Sequence, residues 1–233
     1  QEGSWQVLID GGRSGREVLG RLGHYVPFWD RKLDVVIATH PDSDHIGGLP
    51  GVIRSYRPSL VLTNGHTSDT ETSQLFERLT QSETHKEKIA HGTEIIFPSG
   101  ARLEVLYPAE PLLPDSPVDT NEGSIVARLS FEGTSFLFTG DLAKEEEALG
   151  DIGTIDILKV AHHGSRYSTS DAFLDGIKPR EAVVSVGENS YGHPAPGVLE
   201  NLRERNVLVS RTDEEGDIRY RCSKEQGRCE KMP

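Results

Sequence analysis

Short apolar runs, each closed by glycine, proline or a polar residue, recur along the chain. They are QVLIDGG, LDVVIATH, SLVLTNG, EIIFPSG, RLEVLYP, SIVARLSFEG, TSFLFTGD, DILKVAHHG, EAVVSVG, VLVSRT and DIRYRC. Their β-branched and aliphatic content, bounded by turn residues, predicts strands of about four to eight residues. Between them, helix-like patterns cover 14–23, 47–56, 70–82, 142–149, 169–176 and 195–205. Ser170-Asp171 and Pro196 supply helix starts for the last two. Strands interleaved with helices, and hairpin-like neighbours such as 124–131 with 135–139, predict a mixed α/β fold of sheets flanked by helices. The segment PAEPLLPDSPVDTNEG (108–123) carries four prolines and reads as a long loop inside a domain, because strands resume directly after it. No internal repeat or low-complexity tract interrupts the pattern.

The polar residues that close these runs carry the chemistry. VVIAT runs into His40, FLFTG into Asp141, LKVA into His162 and His163, and VVSVGENSYG reaches His193. The densest case is THPDSDHIGG, which places His40, Asp42, Asp44 and His45 within six residues. Imidazoles and carboxylates crowded on one loop compete for protons unless something holds them. A metal ion gives the cluster a physical reason, since it neutralises carboxylates and takes imidazole lone pairs. A helix cap from Asp44 and solvated histidines is the bland alternative. Strand alternation would send adjacent side chains to opposite faces, so the His162-His163 pair predicts one ligand and one supporting residue. His24, His66, His85 and His91 stand without companions and read as surface or packing. Trp5 and Trp29 read as core.

The net charge of −12 argues against a basic face that grips nucleic acid and agrees with cation binding. Arg13, Arg16, Lys144, Lys159 and Arg166 lie in or near the motif segments and could form a local basic strip, or be solvated surface. Ser165 and Ser168 are either turn residues or phosphate donors. No apolar run reaches the roughly 18 residues that a membrane helix needs. The chain opens abruptly on a strand-like run, which leads us to expect a domain excised from a longer protein. Cys222 and Cys229, in CSKEQGRC, are spaced for a hairpin disulfide or are two separate thiols.

His-x-Asp-x-Asp-His, then strand-Gly-Asp, then strand-His-His-Gly-Ser, resembles the metallo-β-lactamase superfamily. There the first motif is usually His-x-His-x-Asp-His, and here Asp42 replaces the second histidine. LIDGG, DTNEGSIVARL, KVAHHGSRYSTS and NSYGHP look more narrowly like the C-terminal domains of ComEC-type DNA-internalisation competence proteins, over nearly the whole chain. The opening Asp-Val-Gly-Gln-Gly-Asp-like stretch of those domains is not visible. The first strands are either lacking or have diverged to QEGSWQ.

The resemblance implies an αββα sandwich with two mixed β-sheets, a single domain over 1–233, and a two-metal site. His40 and Asp42 would bind one ion; Asp44, His45 and His163 the other; and Asp141 would bridge them. Asn121 is the nearest match to a further ligand of the first site. The oxygen-rich first site favours Mn²⁺, with Zn²⁺ possible. Two such ions, about 3.5–4 Å apart, suit phosphodiester hydrolysis by a shared, acidified water. Asp44 would orient that nucleophile, and His193 and His162 would contact phosphate or move protons. The implied function is a DNA nuclease that degrades one strand of incoming DNA. It would act as a monomeric domain on the extracellular or periplasmic face, attached to a membrane-embedded DNA-uptake channel. The alternatives are a small-ester hydrolase on the same scaffold (phosphorylcholine esterase or lactonase) and a non-catalytic, metal-stabilised DNA-binding module.

Overall fold

Residues 5–27, 29–30 and 32–232 are described by the computed structural model, and the chain divides into two compact units. The first comprises 1–91 and 108–125, the second 92–107 and 126–233. Residues 1–4, on which the question of diverged first strands turns, lie outside the described residues.

In the first unit β1 (Val7–Ile9), β2 (Val35–Ala38), β3 (Leu60–Thr63) and β4 (His85–Lys88) pair in chain order, and every pair is parallel. Parallel neighbours need crossover connections. Here α1 (Gly15–Tyr25), the single turn α2 (Ser43–Ile46), α3 (Leu49–Tyr56) and α4 (Glu71–Glu83) provide them. The apolar faces of α3 and α4 bury Leu49, Val52, Ile53 and Phe76 with Val36 and Val61 of the sheet. The Thr70 hydroxyl caps α4 by accepting the Ser73 amide at 3.2 Å. β4 has the sequence HKEK, which shows no apolar alternation. It is an exposed edge strand held by backbone pairing to β3. Two glycine pairs bring the segment after β1 against the segment after α2. The Gly11 amide donates to the His45 carbonyl at 2.7 Å and the Gly48 amide to the Gly12 carbonyl at 2.8 Å. A Cβ on Gly48 would lie 2.1 Å from the Gly11 carbonyl oxygen, so no larger residue fits without moving backbone.

The second unit is built on seven strands in the order β11-β10-β9-β8-β7-β6-β5. These are β5 (Glu94–Ile96), β6 (Arg102–Tyr107), β7 (Val126–Phe131), β8 (Thr134–Phe138), β9 (Ile157–Lys159), β10 (Glu181–Val184) and β11 (Leu208–Arg211). β5 to β8 are antiparallel neighbours and β8 to β11 parallel ones, so mixed strand directions reside in this sheet. α5 (Glu145–Leu149), α6 (Asp171–Ile177), α7 (Pro196–Glu204) and the turn α8 (Thr212–Glu215) connect its parallel half or flank it. Leu137, Leu158, Val160, Leu174, Val184 and Leu202 form its core. Pro196 opens α7, and the Ser170 hydroxyl caps α6 on the Phe173 amide. The mixed α/β architecture, with sheets flanked by helices, is the one expected.

One expectation changes. Trp5 and Trp29 are 41% and 74% exposed, not core. Trp5 precedes an edge strand, and Trp29 sits in the turn region after α1. The cysteine alternatives resolve to a disulfide: Cys222 and Cys229 face each other across the antiparallel hairpin β12 (Tyr220–Ser223) and β13 (Arg228–Lys231). Cys229 is buried beside Phe136 and Ile157, which anchors the hairpin on the sheet. Among the described residues, no helix is long and apolar enough to cross a membrane.

Two stability outcomes follow, both read as urea midpoints at unchanged slope. Gly48→Ala should cost about 2 kcal/mol or more by overpacking. Gly23→Ala, in α1 with nothing within 4 Å of the added carbon, should gain up to about 1 kcal/mol.

Candidate metal centre

In the first unit the chemistry collects where parallel strands end. Asp10 follows β1 and Thr39-His40 follow β2, so side chains from neighbouring strands meet at the C-terminal sheet edge. Asp10 holds a left-handed φ of 59°, which aspartate tolerates better than most residues. Its carboxylate takes three bonds: the Thr39 amide on Oδ1 at 2.8 Å, and the Thr39 hydroxyl at 2.8 Å and His45 Nδ1 at 2.7 Å on Oδ2. A carboxylate can only accept, so His45 Nδ1 carries the proton. The Thr39 hydroxyl, having given its proton to Asp10, accepts from His40 Nδ1 at 3.0 Å. Ser124 Oγ lies 3.2 Å from the same nitrogen. One carboxylate thus orders both imidazoles with Nδ1 as the donor and Nε2 on the far side of each ring. This is how protein groups orient metal-binding histidines.

The rings of His40 and His45 lie 4.0 Å apart, at 1% and 4% exposure. Burial pushes the Asp10 carboxyl up, but His45, His40 and the Thr39 amide outweigh it, so the group is held below the usual carboxylate range. Asp42 stands at the N-cap of α2 without a side-chain capping bond, and its Oδ2 is 4.0 Å from His40 Nε2. Asp44 lies in the first turn of α2, with Arg13 at 3.7 Å. Asn121 makes turn bonds: its amide donates to Asp119 and its carbonyl accepts the Ser124 amide. From that loop it is Ser124 whose side chain reaches His40.

In the second unit Asp141 follows β8 and the histidine pair follows β9. Asp141 is 2% exposed, and its Oδ2 lies 3.5 Å from His163 Nε2 and 3.9 Å from His162 Nε2. Strand alternation does not govern the pair, because β9 ends at Lys159 and a 3₁₀ turn, Ala161–Gly164, carries both. His162 and His163 hold φ of 47° and 54°, which turns both rings toward Asp141. Such left-handed backbone costs energy and clusters at functional sites. His163 Nδ1 donates to the Ser185 carbonyl at 2.7 Å, which holds the ring with Nε2 toward Asp141. Gly164, at φ 81°, receives the Ala195 amide on its carbonyl, and an added Cβ would meet Pro194 at 2.7 Å. This contact brings in His193, whose ring centre lies 5.7 Å from that of His162. Burial, then the neighbouring His162, holds the His193 imidazole below its usual pKa.

Ser168 donates to the Ala161 and Ser165 carbonyls, so it staples the turn. Lys159 donates to the Gly140 carbonyl, and Lys144 and Arg166 border a recess next to the 3₁₀ turn. His24, His85 and His91 are exposed, as their solitary positions suggested, and His66 is buried.

Sequence reading missed Asp10, Thr39, Ser124 and Ser185. The signal for Asp10 was present: it closes the QVLI run in the way that His40 closes VVIA. The other three act through a hydroxyl or a backbone carbonyl, which no motif marks.

Residues 6–188 match the metallo-beta-lactamase superfamily. Over 197 residues the chain is 32% identical to ComE operon protein 3 of Bacillus subtilis (strain 168), covering 82% of this chain and 25% of that protein. It is 32% identical, with the same two coverages, to competence protein ComA of Neisseria gonorrhoeae. The chain therefore spans about a quarter of the length of these relatives. Its fold is similar to that of the metallo-beta-lactamase fold protein YhfI from Bacillus subtilis, with a TM-score of 0.58 at 18% identity over 91% of this chain and 86% of that one. With the match running from before β1 to beyond β10, and histidines and aspartates closing its strands, this chain belongs to the metallo-beta-lactamase superfamily.

Proposed function

We propose that the chain is a metal-dependent phosphodiesterase that cleaves DNA during uptake. His40, Asp42, Asp44, His45, Asp141 and His163 would hold two divalent ions, with Asn121 as a further donor to the first. The observation that carries the reading is the hydrogen-bond arrangement: His40, His45 and His163 each have Nδ1 engaged with a protein acceptor, which supports Nε2 as the atom that would meet a cation. The donor set fits divalent ions, since neutral imidazoles are combined with carboxylates that would otherwise repel one another. Asp42, in place of a histidine, makes the first position rich in oxygen, which favours Mn²⁺ over Zn²⁺. Bound there, the ions would supply Lewis acidity to a phosphodiester and acidify water.

The protein's own groups have separate tasks. Asp10 and Thr39 fix the His40 and His45 rings, and Ser185 fixes His163. Asp44, partly exposed and near Arg13, would accept the proton of the attacking water. His193 and His162 would donate hydrogen bonds to the phosphate or to the leaving oxygen. Similarity to competence proteins supports DNA as the substrate. We further propose that the domain lies on the outer face of the membrane, beside a DNA-conducting channel.

Incubation of the chain with DNA and Mn²⁺ should give cleavage that EDTA stops and that Asp44→Ala lowers by at least about a hundredfold, the usual scale for losing a general base. Hydrolysis of lactones or phosphorylcholine esters with no cleavage of DNA would overturn the substrate assignment. Asp10→Asn keeps the shape but loses the charge that orders both imidazoles. Metal affinity, measured by calorimetric titration with Mn²⁺, should fall about 10- to 100-fold. An unchanged affinity would remove Asp10 from the metal centre.

A further inference from the structure

The second unit carries an aromatic feature that the metal chemistry does not use. Tyr167 and Tyr191 are 73% and 71% exposed, large rings that a protein ordinarily shelters. Both sit on the segments that carry the catalytic histidines. Tyr167 lies in HHGSRYST, four residues after His163, and Tyr191 in NSYGHP, two before His193. The two segments are joined by the Ala195 amide on the Gly164 carbonyl at 2.8 Å and by the approach of His162 to His193. Neither ring hangs on a loose tether. Asn189 braces the Tyr191 loop, with its Oδ1 accepting the amides of Tyr191 and His193 and its Nδ2 donating to the His193 carbonyl. Tyr191 stacks on His193 at 6.0 Å and 21° between planes. Below Tyr167 the turn is pinned by Ser168 and by the buried Glu145 carboxylate, which accepts the Thr169 amide.

The cations gather on the Tyr167 side. Arg166 lies 6.0 Å from the Tyr167 ring centre, and together with Lys144 it borders a recess of about 270 Å³ that runs to Gly197 and Asn201 of α7. Lys144 has Glu147 at 3.8 Å, an exposed pair that water weakens. The Tyr191 loop carries the exposed acid Glu188 instead. Charge alone would therefore not hold a polyanion along both segments. Stacking does, because every nucleobase offers a π-face and rigid exposed rings lose little entropy on binding.

We infer that Tyr167 and Tyr191 form a stacking platform for unpaired nucleotides that flank the scissile phosphate, with Arg166 and Lys144 attracting the backbone on the Tyr167 side. The platform selects single-stranded nucleic acid, because bases inside a duplex keep their faces covered. Nucleic acid as the ligand rests on the phosphodiesterase reading, whereas the stacking step itself needs no metal.

Binding is read by fluorescence anisotropy in EDTA with the 233-residue chain. The probes are a labelled single strand, the same strand made abasic, and the corresponding duplex. The expected result is that the base-bearing strand binds about tenfold or more tighter than the abasic strand. Tyr167→Ala or Tyr191→Ala should each erase most of that ratio, and Tyr→Phe at either position should keep it. Equal binding of base-bearing and abasic strands, an unchanged ratio in the alanine variants, or a duplex that binds as tightly and loses as much would each overturn the platform. Hydrolysis of bis(p-nitrophenyl) phosphate by the unaltered chain with Mn²⁺ reads the catalytic assignment separately. If that activity is absent while base-dependent binding persists, the phosphodiesterase reading fails and the platform stands.

Discussion

The Asp10 carboxylate organises the first unit's chemistry through a relay of protons that can run in only one direction. It accepts from His45 and from Thr39, and Thr39, its hydroxyl hydrogen spent, must accept from His40. Two buried imidazoles are thereby held with Nδ1 as the hydrogen-bond donor. Burying a carboxylate costs several kcal/mol unless hydrogen bonds satisfy it. The three bonds to Asp10 supply that satisfaction. The glycine pairs after β1 and α2 serve the same end. The Gly11–His45 backbone bond draws the loop that begins at Asp10 onto the loop that ends at His45, and only residues without a Cβ let the two approach so closely.

Backbone strain sits where the side chains must turn. Asp10 directly after β1, and His162 and His163 in the turn that follows β9, all take left-handed φ. A strand continued through these positions would alternate its side chains to opposite faces. Leaving the strand one to three residues earlier lets consecutive histidines address the same aspartate, as the 3.5 and 3.9 Å approaches of His163 and His162 to Asp141 show. The packed strands behind these turns, with Leu137 and Leu158 fully buried, are what keep the unfavourable backbone from relaxing.

Much of this was legible in the sequence, for physical reasons that differ from element to element. Apolar runs ending in polar residues located the strands and the sheet edge, because a buried parallel strand must be apolar and its end must face water or a ligand. The strand HKEK was not legible, since an exposed edge strand is held by backbone bonds to its neighbour and leaves no apolar signature. The His162-His163 pair was located, but its geometry was misread: a strand's alternation was extended into a turn whose left-handed backbone nothing in AHHG announces. Asp10 was visible as a strand-closing residue, yet its bond to His45 joins positions 35 residues apart and needed the fold to be seen. Trp5 and Trp29 show the opposite failure, where residue type suggested burial and position at an edge and in a turn decided otherwise.

The charge of the chain constrains how it could handle a polyanion. At −12 overall, long-range attraction is unfavourable, and the cations near the second unit's histidine turn are few. Most nucleic-acid-binding surfaces derive affinity from phosphate contacts and lose it steeply with salt. A site that draws its local positive charge from metal ions and its grip from aromatic faces would depend less on salt. It would discriminate by whether bases are accessible, not by backbone charge. For a domain proposed to act where a duplex is being separated, that discrimination matters more than affinity. Under that proposal the domain would pass over intact duplex and engage a strand only once its bases are unpaired.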